Sequence, residues 1–256
     1  GLAQLSPFTR TCDSWKELMS LPTITERVET LKNPDKRRQL IREGIASGDL
    51  KDLARMLHPF GLEATPNVDF DRKQSLQQLA DNAGKDVVEV YVERLLESEG
   101  KEFFNFWMFG GNLENQWNYM RLPYVVPMLG DAGAHVGFFT DTDSPTILLS
   151  ELTRKQGVYT LPEAVHRISG KSAEILGLKD RGLLREGWHA DINVIDYENL
   201  SSRQPEYVND LPLDGGRFIV KSNGYDATIV AGKVVVENCE YTDARPGTVI
   251  RDFIRG

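Results

Sequence analysis

The sequence predicts an α/β protein: a helical first part, then parallel-type strands, then a small β domain. Three observations carry this. Through the first hundred positions, apolar residues recur at helical spacing. Two short apolar runs, Phe103–Phe109 and Tyr124–Leu129, flank a short helical segment, which is the strand–helix–strand order of a βαβ unit with a parallel sheet. From Asp191 onward the apolar residues alternate at period two, as in strands with one buried face.

Taken in order, Thr23 to Leu31 places Ile24, Val28 and Leu31 on one helical face. Asn33 before Pro34 reads as an N-cap with proline at the first helical position, and that helix runs through Leu40, Ile41 and Ile45 to Gly48. Asp49 reads as the cap of the next helix, with Leu50, Leu53 and Leu57 as its stripe. His58, before Pro59, fits packing or solvent better than chemistry. A polar loop with Pro66 follows to Asp71. Ser75–Ala83 and Asp86–Glu99 are two further helices, the second burying Val87, Val90, Tyr91, Leu95 and Leu96 and ending at Gly100. The run Phe103–Phe109 then reads as a strand buried on both faces.

Asn112–Met120 is a short helix with Leu113 and Trp117 inward, closed by Pro123. Tyr124–Leu129 is the next strand. Asp143, Ser144 and Pro145 start a helix that reaches about Gly157. Thr160 and Glu163 form a capping box around Pro162, with Leu161, Val165 and Ile168 as the apolar face. His166 sits mid-helix, a surface or interface position. A short helix from Ser172 to Leu176 ends at Gly177. Strands follow at Asp191–Asp196 and Arg217–Lys221, then a hairpin, Ala227–Val230 and Lys233–Glu237 around Ala231 and Gly232. The tail from Tyr241 is irregular.

Composition bounds the function. A net charge of −8 argues against nucleic acid or an anionic membrane as partner. No apolar run approaches the roughly 18–20 residues of a membrane span. Gly1–Leu5 has neither the basic region nor the apolar core of a secretion signal, and the first residue is not Met, so a processed or truncated chain is expected. Cys12 and Cys239 form no CxxC pair, which fits reduced thiols in a cytoplasm; both read as small buried side chains.

The stretch that carries chemistry is Gly130–His135. A buried strand breaks at Gly130 and delivers Asp131 and His135 onto a loop of Gly and Ala, where α/β proteins place reacting groups. Small residues leave room for a ligand or a metal. Two readings stand: Asp131 as hard ligand or general base, or Asp131 bonding the N–H groups of its own turn. Phosphate loops of the GxGxxG or GxxxxGK[ST] type, a GxSxG elbow, and His-x-His or HExxH pairs are absent from the sequence. A catalytic zinc wants about three protein ligands, and the four histidines here are scattered.

Gly130–His135 resembles the motif after the eighth barrel strand of the amidohydrolase superfamily, in its N-acyl-D-amino-acid deacylase (D-aminoacylase-like) branch. Leu161–Val165 with Ser169–Gly177 resembles that family's last barrel helices. Arg181, Gly182, Gly187 and Ala190–Asp196 are similar to the return into its small β domain, and Gly224–Val236 to its closing hairpin. The helical stretch Trp15–Gly61 is similar to an insertion in the same branch.

The resemblance implies a partial (β/α)₈ barrel over 1–178, with a helical insertion at about 10–100, and a β-sandwich-like domain over 179–256. It implies a zinc-dependent hydrolase of non-peptide C–N bonds, with N-acyl-D-amino acids as the expected small-molecule substrate. Asp131 matches the residue that ligates the metal, takes a proton from metal-bound water and delivers it to the leaving nitrogen. His135 is expected to contact substrate or to support the metal ligands. The family's His-x-His, its bridging ligand and its two later histidines have no counterpart here. A full barrel needs roughly 250 residues and eight strands, so the chain reads as the C-terminal portion of a longer enzyme, inactive alone and partnered by the missing barrel strands. Self-association through exposed strand edges such as Phe103–Phe109 is a further expectation. The rival from another class is a non-catalytic binding or structural remnant of the fold.

Overall fold

The computed structural model describes residues 6–67, 74–106, 113–127, 130, 133–134, 136 and 142–251. They fall into two compact units, Gly1–Gly110 and Gly111–Gly256. The expected boundary at 178/179 lies inside the second unit.

The first unit is a helical cluster, as the periodicity predicts. It contains α1 (Asp13–Ser20), α2 (Ile24–Lys32), α3 (Pro34–Ser47), α4 (Asp49–Leu53), β1 (Leu57–Pro59), α5 (Leu76–Ala83), α6 (Val87–Glu97) and β2 (Phe104–Phe106). Its core is built on Phe8, Trp15, Leu31, Leu40, Leu50, Leu76, Tyr91, Val92 and Leu95. The rings of Phe8 and Trp15 lie 4.6 Å apart, and Trp15 donates its indole N–H to the Leu40 carbonyl at 2.9 Å. That bond satisfies the one polar atom of a fully buried tryptophan.

The helix starts are legible in local chemistry. Asn33 Oδ1 accepts from the amides of Asp35 and Lys36, and both Thr23 with Glu26 and Asp86 with Glu89 close capping boxes. Asp49 corrects one expectation. The cap position of α4 is Gly48, and the Asp49 carboxylate instead accepts from the Thr11 hydroxyl. Leu57 and His58 leave the helix and enter β1, where His58 is buried.

The run Phe103–Phe109 is also corrected. Its described part holds one short strand, β2, which pairs antiparallel with β1 (His58 opposite Asn105) and leaves Phe106 38% exposed. Residues 107–109 lie outside the described residues. Phe104 is drawn to the helical core, its ring 5.5 Å from Tyr91, so the described part of the run packs on α6 and pairs antiparallel with β1.

The second unit begins with α7 (Leu113–Met120) and continues with α8 (Ser144–Ile147), which runs directly into a π-helix at Leu148–Lys155. Helices α9 (Leu161–Ile168) and α10 (Gly170–Ile175) follow. The strands are β3 (Ile192–Ile195), β4 (Ser201–Ser202), β5 (Glu206–Leu211), β6 (Gly215–Ile219), β7 (Ser222–Asn223), β8 (Tyr225–Val230), β9 (Lys233–Glu237) and β10 (Glu240–Tyr241). They form one four-stranded sheet in the order β10-β9-β8-β3 and two separate pairs, β4 with β7 and β5 with β6. All described pairs are antiparallel. The β8–β9 hairpin turns through Ala231 and Gly232 with Val230 opposite Lys233, as the alternation predicts. The strands form this sheet and the two pairs; a two-layered sandwich is not among the described arrangements.

The core of this unit joins Leu148, Leu149, Leu152, Val158, Tyr159, Ala164 and Leu200, with Trp117, Ile168 and Tyr225 packed against it. On α9 the buried residue is Ala164, whereas Leu161 and Val165 are exposed, so the expected apolar face is only partly used. Cys12 is buried as expected, but Cys239 is exposed beyond β9. Among the described residues no helix is long and apolar enough to cross a membrane.

The expected strand Tyr124–Leu129 does not form in its described part, 124–127. Those residues make a turn and an irregular connection, with Val125 donating to Leu122 O and Tyr124 74% exposed. The cause is local. Pro127 removes an amide from the segment and Pro123 removes the one just before it, and a side chain, described next, takes the Val125 carbonyl that a strand partner would need.

Candidate functional site

Asp131 and His135 lie outside the described residues. What is described is the frame on either side of them, and it belongs to the second unit. Helix α7 enters this frame through a turn: Arg121 donates its amide to Trp117 O and Leu122 donates to Tyr119 O.

Arg167, on α9, closes over that turn. Its Nη1 donates to Leu122 O at 3.0 Å and to Val125 O at 2.5 Å, and its Nη2 donates to Arg121 O at 2.9 Å. The guanidinium lies 4.9 Å from the centroid of the Tyr159 ring. Only arginine offers a planar fork that reaches several carbonyls while stacking on an aromatic face. Tyr159 in turn donates its hydroxyl to Met120 O at 2.7 Å. Burial pushes the Tyr159 phenol above its ordinary value, with Arg167 and Arg121 pulling the other way. Arg121 extends the frame, donating Nε to Val158 O at 2.9 Å.

On the far side, the Phe218 amide of β6 donates to Val136 O at 2.8 Å. Between the two anchors Gly133 has φ +88°. A Cβ built there meets nothing within 4 Å, so glycine serves the backbone angle and not a close approach. The stretch that carries Asp131 and His135 in sequence is thus tied at its entrance by α9 and at its exit by β6.

Helix α9 itself is fixed at its start. Glu163 accepts from the Thr160 hydroxyl at 2.7 Å and from the Thr160 amide at 2.8 Å, bonds that hold its carboxyl below the usual carboxylate range. A hydroxyl cluster anchors the helix that follows the stretch: Thr146 Oγ1 lies 3.1 Å from both Ser222 Oγ and Tyr225 Oη.

The chemistry of this frame is positional. The guanidinium donors of Arg167 and Arg121 described above go to backbone carbonyls, so these cations brace the chain. Among the described residues no group of three or more His, Cys, Asp or Glu could hold a metal ion. His58 is in the first unit's β1, and His166 is exposed on α9. The described residues alone therefore do not compose a zinc site.

Sequence reasoning missed Arg167. Its only local signal is a basic residue in the last turn of a capped helix, which most often marks a solvated end. Its partners lie 42 to 46 residues earlier, and nothing in the local pattern names them.

Comparison with known proteins places this frame. The amidohydrolase family model matches residues 118–236. A stretch of 105 residues is 33% identical to N-acyl-D-aspartate deacylase of Alcaligenes xylosoxydans xylosoxydans, covering 41% of this chain and 19% of that protein. A stretch of 112 residues is 30% identical to dihydroorotase of Lactobacillus acidophilus, covering 42% of this chain and 26% of that protein. Among solved structures, N-acyl-D-glutamate deacylase from Bordetella bronchiseptica, complexed with zinc and a phosphonate inhibitor, aligns with TM-score 0.43 and 21% identity, over 80% of this chain and 39% of that one. The matches thus span about a fifth to a quarter of the two curated relatives. The segments that carry the D-aminoacylase-like resemblance from Gly130 to Val236 all fall within the matched span, and the resemblance is borne out.

Proposed function

We propose that this chain, whose residues 118–236 match the amidohydrolase family, serves the hydrolysis of a non-peptide C–N bond, most specifically the deacylation of N-acyl-D-amino acids. The observation that supports it best is the 33% identity to an N-acyl-D-aspartate deacylase over 105 residues.

In this reading Asp131 is the general base. It takes a proton from the attacking water and hands it to the departing nitrogen, so that the amine leaves neutral. Proton transfer of this kind requires the carboxylate to stay within hydrogen-bond reach of both atoms, and the ties at Arg121–Val125 and at Val136 support that role by fixing the chain on both sides. His135 contacts the substrate or the groups around Asp131.

Zinc is the metal the resemblance implies, and when bound it supplies the Lewis acid that makes a water acidic near neutral pH. Asp131 is a suitable hard oxygen donor for it. The remaining ligands come, in this reading, from sequence outside these 256 residues. One carboxylate cannot replace a multi-ligand site. The purified chain is therefore expected to carry much less than one zinc after dialysis, measured by elemental analysis. Stoichiometric zinc would contradict the proposed division of ligands.

The functional experiment joins the chain to its natural upstream sequence and assays a panel of N-acetyl-D- and N-acetyl-L-amino acids with zinc. Faster cleavage of D than of L substrates is the expected result. A protein that cleaves no amide in the panel would instead be a non-catalytic remnant of the fold.

A further inference from the structure

We infer that Arg167 is a positioning residue, which sets the backbone of residues 121–125 and through it the entrance to the Gly130–His135 stretch. The part of the inference that concerns catalysis rests on Asp131 being the base. The part that concerns the backbone does not.

The geometry is specific. Three carbonyls, of Arg121, Leu122 and Val125, converge on one guanidinium at 2.9, 3.0 and 2.5 Å. They belong to a turn whose own amides bond only locally: Arg121 to Trp117, Leu122 to Tyr119 and Val125 to Leu122. Such a turn, with no strand beside it among the described residues, is a low-stability element, and charge-assisted bonds to its carbonyls are what order it. The aromatic face of Tyr159, 4.9 Å from the Arg167 guanidinium, holds the cation in place, and the Tyr159 hydroxyl takes the Met120 carbonyl just upstream. Helix α9 thereby delivers a side chain to the backbone that leads into the matched motif. Its capped start at Thr160 and Glu163 sets the rotation at which Arg167 leaves the helix.

Arg154 makes a useful comparison, because it does the same elsewhere. It donates to the carbonyls of Tyr197 and Leu200 and lies 5.6 Å from the Tyr197 ring centroid. Removing it should loosen a different stretch, 197–200. A generic loss of one half-buried cation and a specific loss of one tie are thus separable within the same unit.

Hydrogen exchange of the 256-residue chain provides the test, comparing Arg167→Ala, Arg167→Lys and Arg154→Ala with the parent. In Arg167→Ala, exchange at the amides of Leu122 and Val125 is expected to rise by about ten-fold or more, with the β8–β9 hairpin unchanged. Arg154→Ala should leave Leu122 and Val125 protected. Guanidinium added at tens of millimolar should restore protection in Arg167→Ala, a response that lost helix packing would not give. If Arg167→Ala fails to fold, Arg167→Lys decides. Its single ammonium cannot reproduce the fork, so Leu122 and Val125 should still exchange faster than in the parent. Unchanged exchange at these amides, or an equal rise across the hairpin, would overturn the inference.

The catalytic part is read in the zinc-supplied, upstream-joined protein. Arg167→Ala should lower kcat by roughly 10²-fold, the cost of a misplaced reacting group, with KM changed little. A parent without amidase activity removes the reading of Asp131 but leaves the exchange result standing. An active parent whose Arg167→Ala variant keeps its kcat removes the positioning role alone.

Discussion

Glu43 accepts from the Ser14 hydroxyl at 2.5 Å, from the Ser14 amide at 3.1 Å and from Gln39 at 2.9 Å. The Ser14 hydroxyl first, and Gln39 next, hold the Glu43 carboxyl below its usual 4.5. A carboxylate whose folded pKa is depressed stabilises the fold above its unfolded pKa, and that contribution is lost as pH falls through the folded value. The parent should therefore exceed Glu43→Gln in denaturant midpoint at pH 7, with the gap closing as pH drops below 4.5 toward 3. A gap that is constant between pH 7 and 3 would contradict this. At the residue scale, what the sequence made legible was short-range. Asn33, Thr23 and Thr160 announce their helices because their partners lie two or three residues away. Ser14 with Glu43, and Arg167 with its three carbonyls, are separated by 29 to 46 residues, and only the folded chain pairs them.

Helices were more legible than strands for a related reason. A helix satisfies its amides within itself, whereas a strand depends on a partner that the local pattern does not identify. Val125 and Val126 have strand-like composition, yet with prolines on either side and Arg167 on the Val125 carbonyl they form none. The same dependence appears where β3 meets β8. Pairing slips between Val194 and Ile195, and Asp196 donates its amide to Gly224 O at 2.8 Å. Gly224 has φ +87°, and a Cβ there would lie 2.8 Å from Asp196 O and 2.8 Å from Leu200 Cα. Both contacts are with backbone, which cannot swing aside. Gly224→Ala should cost at least about 2 kcal/mol, combining left-handed strain with overpacking. The check is urea denaturation, followed by the fluorescence of Trp117 and Trp188, the two tryptophans of the second unit. A variant with the parent's midpoint would mean that this junction relaxes freely.

At the scale of the whole molecule, the order of the chain was legible and the sheet was not. Helices come first and antiparallel strands last, as the period-two alternation from Asp191 onward indicates. The expected parallel pair is replaced among the described residues by β1 with β2, because Phe104 packs onto Tyr91 of the helical core. The stretch Gly130–His135, proposed as functional from its sequence, falls within the matched 118–236, while the frame on either side of it became visible only in the folded chain. Everything proposed for function converges on the carboxylate of Asp131. The most direct test is the kcat of Asp131→Asn in the upstream-joined protein, with zinc and an N-acetyl-D-amino acid it cleaves. The amide keeps the shape of the side chain and removes the base, so kcat should fall by roughly 10²–10⁴-fold with thermal unfolding unchanged. An Asp131→Asn protein as active as its parent would show that Asp131 is a turn residue and that the proposed proton transfer is wrong.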